Sequence, residues 1–285
     1  MADEIVEIIE GLNQPIKIRD YLKNKLGFST SLIAKVKYDN VLLNGKAVHM
    51  RAMVEKGDEI RVLFPEEESE NILPIDIPID VIYEDDDVIA INKPTNMPVH
   101  PCRGNSLPTL ANALRHYLGK PFVFRSVNRL DRDTSCIVLV AKNQLSCIHL
   151  SRQMQANSMT KIYYAIVEGE MPAHGEISAP IARESPDSLR RIVREGGKDS
   201  LTEYELIERT EDGNSLLRIT LHTGRTHQIR VHMAHIGHPL VNDFMYGTQK
   251  GNEIYRLHCG ELSFIHPRTG KTITLKCDIP KQNNL

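Results

Sequence analysis

The sequence has no pair of cysteines spaced C-x-x-C; its five cysteines, at positions 102, 136, 147, 259 and 277, are odd in number and scattered. Neither a disulfide framework nor a common zinc site is expected, and the compartment should be reducing. No apolar run approaches the ~18 residues of a membrane span. The opening stretch, MADEIVEIIEG, is acidic and lacks the basic start and apolar centre of a signal peptide. A cytoplasmic protein with no membrane partner is therefore expected. Net charge is nearly absent too, at -2, which weighs against a nucleic-acid partner only if charge is spread evenly. It is not: acidic residues crowd Glu66 to Glu70 and Glu84 to Asp87, whereas Arg and His crowd Gly224 to His238. A basic face can exist on a neutral protein. There is no long internal repeat and no low-complexity tract.

What is present is ordinary folding material. The 285 residues are 41% hydrophobic and 25% charged, which fits a folded chain of two domains. In KIRDYLKNKLG the spacing of Ile18, Tyr21, Leu22 and Leu26 predicts a helix stopped at Gly27. STSLIAKVKYD predicts a second helix started by a Ser or Thr cap, and VLLNGKAV a hairpin turning at Asn44-Gly45. EKGDEIRV adds a turn and a strand. The acidic, proline-rich PEEESENILPIDIP reads as a linker. The organisation expected is a small α+β domain over residues 1–66, a linker over 67–78 and a large domain over 79–285. In the latter, a hairpin at VIYEDDDVIAINKP, helices at LPTLANALRHYLG, NQLSCIHLSRQMQAN and HQIRVHMAHIG, and a majority of strands predict an α+β fold. Its sheet should be large, mixed and mainly antiparallel, with flanking helices.

The most informative stretch is VNRLDRDTSCIVLVAKN, residues 127–143, a charged loop running directly into a buried strand. Rigid elements hold reactive groups in such places. On charge pattern alone the plainer reading is favoured, a solvated loop whose Arg129, Asp131, Arg132 and Asp133 form local ion pairs.

A resemblance reverses that preference. The stretch resembles the H-R-L-D-x-x-T-S-G signature of the RluA/RluD-type RNA pseudouridine synthases, with Asn128 in place of His and Cys136 in place of Gly. INKPTNMPVHP (91–101) resembles the family's K-P-x-G-M-x-V-H-P motif, with Asn96 at the Gly; Asn also tolerates a left-handed backbone. KIYYAIVEG (161–169) resembles K-x-Y-x-A-x-V-x-G. LHTGRTHQIRVHMAHIGHPLVND (221–243) resembles T-G-R-x-H-Q-I-R-V-H, its usual final Gly-Asp appearing as Asn242-Asp243. The four matches stand in the family's order and imply an isomerase, an RNA pseudouridine synthase. Asp131 would be the nucleophile, Tyr163 the active-site tyrosine and Arg230 the active-site arginine.

Chemistry fits these residue types. The reaction breaks the glycosidic bond from ribose to a ring nitrogen, turns the uracil and rejoins it through carbon five. A buried carboxylate needs a compensating cation, and Arg230 could bind Asp131 in a fixed fork. Tyr163 would stack on the uracil. The target nucleotide must be flipped out of its stack, and the resemblance places Arg129 where it could fill the gap. Arg225, His227 and Gln228 are candidate substrate-binding residues. The spacing His227, His232, His235, His238 is too long for one compact helical metal site and no H-E-x-x-H motif appears, so these histidines are expected to contact RNA or cap the helix. No metal or cofactor is implied.

The N-terminal segment resembles the small RNA-binding domain first recognised in a ribosomal small-subunit protein, with Lys17, Arg19, Lys23, Lys25, Lys35, Lys37 and Lys46 as candidate phosphate contacts. The expected partner is structured RNA, first large-subunit ribosomal RNA and second transfer RNA, bound by a monomer. A ribosome-assembly factor that kept the fold and lost the chemistry is the competing reading. A metal hydrolase built on the histidines lacks its motif.

Overall fold

The structure, a computed structural model, describes the chain except for residues 1–3, 37, 65–71, 102–107, 120–122, 249–254 and 280–285. Lys37, Cys102, the acidic run from Glu66 to Glu70 and the first part of the expected linker, 67–71, lie outside the described residues.

The N-terminal elements are β1 (Glu4–Ile8), β2 (Ile16–Lys17), α1 (Ile18–Asn24), α2 (Thr30–Lys35), β3 (Val41–Leu43), β4 (Lys46–Ala47), β5 (Met53–Val54) and β6 (Glu59–Leu63). Helix α2 begins where the Ser29 hydroxyl accepts from the Leu32 amide at 3.1 Å, a side-chain cap on an otherwise unpaired donor. The β3–β4 turn is made by Asn44 and Gly45, both at positive φ (49° and 78°), as a two-residue hairpin requires. Ile18, Tyr21, Leu22 and Leu26 all enter one hydrophobic cluster. Strand β1 was unforeseen, because its segment was read only for charge; it pairs antiparallel with β6 in a sheet ordered β1-β6-β3-β4.

The remaining elements are β7 (Asp80–Glu84), β8 (Val88–Lys93), α3 (Leu110–Leu118), β9 (Arg125–Ser126), β10 (Ser135–Ala141), α4 (Gln144–Gln155), β11 (Thr160–Val167), β12 (His174–Ser178), β13 (Ile181–Arg183), β14 (Arg191–Val193), β15 (Leu201–Arg209), β16 (Ser215–Leu221), α5 (Gln228–His235), β17 (Leu257–Ile265) and β18 (Thr272–Lys276). Ten of these strands form one sheet ordered β12-β15-β16-β11-β17-β10-β8-β7, with β18 on β17 and β9 on β10. Among the described strands only β10 and β17 run parallel; the fold is the mixed, mainly antiparallel α+β type. Every residue of β10 is buried, so the loop that precedes it is anchored in the middle of the sheet. Among the described residues no helix is long and apolar enough to cross a membrane.

The expectation of no disulfide is overturned. Cys136 ends up bonded to Cys277 across 141 residues, with Cα atoms 6.5 Å apart. The reason is topological: β10 lies beside β17, and the chain after β18 continues along β17 through the Cys277 amide to the Gly260 carbonyl. Sequence spacing carries no trace of that neighbourhood.

The two groups of elements form separate hydrophobic clusters, but Ile148 of α4 belongs to the N-terminal one. The contact is close: Arg152 Nε donates to the Leu26 carbonyl at 2.7 Å. A Cβ on Gly27, at φ +66°, would stand 2.7 Å from Arg152 Cγ. Only glycine suits that position.

A carboxylate network closes the edge of the large sheet. Asp85 Oδ1 accepts the amides of Asp87 and Val88 at 2.8 Å each. Buried Asp87 receives a fork from Arg268 at 2.6 and 2.8 Å, together with Asn143 and Ser146 from the start of α4. Arg268, though burial opposes it, thus holds the Asp87 carboxyl well below the usual carboxylate range. A depressed carboxyl pKa contributes stability above its unfolded value and loses it as pH falls. Arg268→Ala should cost about 1–2 kcal/mol at neutral pH, discounted because the guanidinium is exposed. The deficit should shrink below about pH 4. Urea denaturation at both pH values checks this; a deficit independent of pH would exclude the ion pair as its source.

Candidate active site

The loop before β10 is fixed from both sides. Asn128, at the position expected for His, pairs its side chain with the strand: Nδ2 donates to the Ile137 carbonyl and Oδ1 accepts the Leu139 amide, each at 2.8 Å. From the other side, the wholly buried Lys93 donates Nζ to the carbonyls of Pro94, Met97 and Arg132 at 2.7, 2.9 and 2.9 Å. The Met97 amide also reaches the Arg132 carbonyl, at 3.2 Å. Asn96 takes φ 56°, so the left-handed turn expected there is kept by Asn. Arg132 forks onto buried Asp133 at 2.8 Å through both contacts. That leaves Arg129 exposed, without the Asp133 ion pair of the plainer reading, and with no hydrogen bond or ion pair among the described residues.

Asp131 and Arg230 meet, although not as a fork. Arg230, 2% exposed, gives its Nε and Nη2 to Asp243 at 2.7 and 2.8 Å, and only Nη1 reaches Asp131 Oδ2, at 3.2 Å. The expected fork exists but its partner is Asp243, which is completely buried and so most in need of full pairing. Burial acts to lower the Arg230 pKa and the Asp243 hydrogen bonds override it, so the group stays charged. Its flat face lies 4.3 Å from the Tyr255 ring centre, a stacked cation of the kind Arg favours. Asp243, Tyr255 and Lys93 were given no role from sequence. The NKP and ND segments inside quoted motifs were the available signal for two of them, and Tyr255 had none.

One pocket gathers Arg129, Asp131, Tyr163, Arg225, His227, Gln228 and Arg230. All seven candidate residues thus line one concavity. Tyr163, on β11, is buried, and that burial, with the Cys259 thiol and Asp131 adding to it, pushes its phenol well above the ordinary value; it is a neutral hydroxyl. Gln228 is committed to the scaffold: its carbonyl accepts from Thr223 Oγ1 and the Arg225 amide, and its amide donates to Leu201 and Thr202. Arg225 donates Nε to the Asp199 carbonyl at 3.0 Å. Burial lowers the His227 pKa, with Asp131 opposing.

The other histidines of this segment sit in different settings, His232 buried, His235 exposed and His238 just beyond the helix. His232 is wholly buried and bonds Thr202 Oγ1 and the Ala179 carbonyl; His238 bonds the Glu168 carbonyl. For His232 the expectation of RNA contact or capping is corrected to a core role, because helix α5 packs that face on β15. Two side-chain groups among the described residues bring three ligand-type atoms within 4.8 Å, Cys136 with His258 and Cys277, and Asp85 with Asp87 and His266. The Cys136–Cys277 bond occupies the first, and the donors already named satisfy the second. Neither lines the Asp131 pocket.

The sequence profile of the family described as RNA pseudouridylate synthase matches residues 87–235. The chain is 39% identical over 256 residues to an uncharacterized RNA pseudouridine synthase, YlyB, of Bacillus subtilis, covering 86% of this chain and 84% of that protein. It is 37% identical over 261 residues to ribosomal large subunit pseudouridine synthase D of Escherichia coli, covering 85% and 79%. Among solved structures, human RNA pseudouridylate synthase domain containing 1 superposes with a TM-score of 0.60 at 27% identity, over 70% of this chain and 83% of that one.

Lys93 generates a test of how the loop is held. Burial brings its ammonium down to about 7, against the pull of Asp133 and Asp131. Between that value and the ordinary lysine range the unfolded chain binds more protons, so stability rises with pH over this window. Lys93→Met removes that rise. Denaturation midpoints at neutral pH and at about pH 9.5 should therefore show a larger gain for the wild type than for the variant; equal gains would mean that Lys93 does not titrate there.

Proposed function

The chain belongs to the RNA pseudouridylate synthase family and is an RNA isomerase; we propose that it converts uridines of large-subunit ribosomal RNA to pseudouridine, with Asp131 as nucleophile. The observation that carries this reading is the Asp131 carboxylate in the pocket, 3.2 Å from an Arg230 already locked on Asp243. A fixed cation beside a partly exposed carboxylate holds one of its oxygens while leaving the other room to react. Tyr163 would lie against the uracil as it turns, and Arg129, exposed and without a hydrogen-bond or ion-pair partner among the described residues, would fill the stack the nucleotide leaves. Arg225 and His227 would meet the flipped nucleotide, with Gln228 shaping the loop that carries them.

RNA as partner is supported by a second cavity, about 500 Å³, that shares Arg129 and Arg225 with the catalytic pocket and adds Arg183, Arg191 and Lys198. None of its lining residues is acidic. None of the five cations has a carboxylate partner among the described residues. Uncompensated charge of one sign leading into a site suits a phosphodiester chain. We further propose that residues 1–66 form an RNA-binding domain joined through 67–78 to a catalytic domain at 79–285. A groove of about 410 Å³ lined by Lys17, Arg19, His49 and Arg51 supports this. The protein would act in the cytoplasm as a monomer. The large-subunit substrate draws on relatives named ribosomal large subunit pseudouridine synthase D.

The test is to map pseudouridines in total RNA from cells carrying the wild-type gene or Asp131→Asn. Specific large-subunit positions should lose their pseudouridine, and the purified variant should turn over at least about a thousandfold more slowly. Its stability should be little changed, because Arg230 keeps Asp243. Losses confined to transfer RNA would move the substrate assignment; undiminished modification would remove Asp131 from its role and favour an assembly factor.

A further inference from the structure

We infer that Tyr246 is a positioning residue for the reaction: its hydroxyl fixes the tautomer of His227 so that the imidazole presents Nε2–H to Asp131 Oδ2, leaving Oδ1 as the reacting oxygen. The inference rests on the proposed role of Asp131 and assigns a residue that the four motifs did not single out.

Proton counting carries the argument. The Tyr246 hydroxyl lies 2.8 Å from the backbone N of Arg191 and 2.8 Å from His227 Nδ1. An amide N–H can only donate, so the hydroxyl accepts from Arg191. Its own hydrogen then needs an acceptor, and His227 Nδ1 is the one remaining partner among the described residues. If Nδ1 carried the ring proton instead, the hydroxyl would accept twice and its hydrogen would have no partner. Burial keeps the phenol protonated and the imidazole neutral, so the donor is present and the tautomer is a real choice.

The far side of the ring leads to the same answer. His227 Nε2 lies 3.8 Å from Asp131 Oδ2. A lone pair there would face a carboxylate oxygen, whereas an N–H is attracted to it. At 3.8 Å this is not yet a hydrogen bond, and such contacts in an empty site commonly tighten when substrate binds. Arg230 Nη1 addresses the same oxygen at 3.2 Å. One hydrogen-bond donor on Oδ2, a second donor position 3.8 Å from it and no donor on Oδ1 among the described residues divide the carboxylate into a held atom and a free one. The His227 backbone, at φ 59° and ψ 20°, is in the left-handed region that non-glycine residues enter only at a steric cost. From that conformation the ring reaches Tyr246 on one side and Asp131 on the other.

Tyr246→Phe tests this cleanly, since the ring 5.0 Å from the Arg230 guanidinium is retained while the hydroxyl is lost. Nitrogen-15 NMR of the histidine rings in the full chain should show His227 as Nε2–H in the wild type and shifted toward Nδ1–H in Tyr246→Phe. The single-turnover rate at saturating RNA should fall roughly 10- to 100-fold, as on loss of other orienting partners, with RNA affinity unchanged. His227→Gln supplies an N–H whose position does not depend on a tautomer, so in that background Tyr246→Phe should cost little more. A wild-type Nδ1–H tautomer, or the same rate loss from Tyr246→Phe in both backgrounds, would overturn the inference. Full turnover by Asp131→Asn with the Nε2–H tautomer intact would instead retire the role of Asp131, so the two failures are distinguishable.

Discussion

A guanidinium buried to 2% exposure and forked onto a wholly buried carboxylate is the interaction from which the rest of the site follows. Neither Arg230 nor Asp243 could be buried alone, since removing one partner of such a pair leaves an uncompensated charge costing about 3–5 kcal/mol. Their mutual saturation has a chemical consequence. Of the N–H groups that Arg230 has left, only one on Nη1 reaches Asp131, so that carboxylate has a single contact from the guanidinium and keeps an oxygen free. Had Asp131 itself been the forked partner, both its oxygens would have been occupied. Asp243 also accepts the amides of Met245 and Tyr246 through Oδ1, so the pair that fixes the cation also places the tyrosine beside His227.

Much of this was legible in the sequence, for reasons of range. The helix at Ile18, the turn at Asn44-Gly45, the buried strand after Ser135 and the helix at Gln228 depend on spacing within one element, and the structure has them there. The seven candidate site residues fall in one pocket, because motifs in a fixed order tie distant segments to one another. What could not be read is which of several compatible partners a charge selects. Arg132 rather than Arg129 takes Asp133, and Asp243 rather than Asp131 takes the Arg230 fork; the complete burial of Asp243 against a partly exposed Asp131 decides the second, and depth is a tertiary property. The Cys136–Cys277 bond and the β13–β14 hairpin belong to the same class.

The near-zero net charge becomes intelligible once charges are placed. Asp85, Asp87 and Asp243 are spent on internal donors, and carboxylates used this way project little field into solvent. The cations of the cleft beside the pocket have no carboxylate partner among the described residues, so a neutral sum coexists with a basic surface where a polyanion would enter.

Backbone strain is distributed by the same logic. Six described non-glycine residues have positive φ, and four of them are Asn, which tolerates the left-handed region. The other two, Cys136 and His227, lie close to Asp131, one in the strand its loop feeds and one 3.8 Å from its carboxylate. Where the family resemblance expects glycine at 136, the conformation would be nearly free; here cysteine adopts φ 77° at a cost of about 1–2 kcal/mol. The sheet can impose that cost because Cys136 is wholly buried and paired on both sides, with Lys93 of β8 and Cys259 of β17. A loop residue would relax instead. The position of Asp131 is therefore set by the sheet interior more than by its own loop, and Cys136 can replace glycine without displacing it.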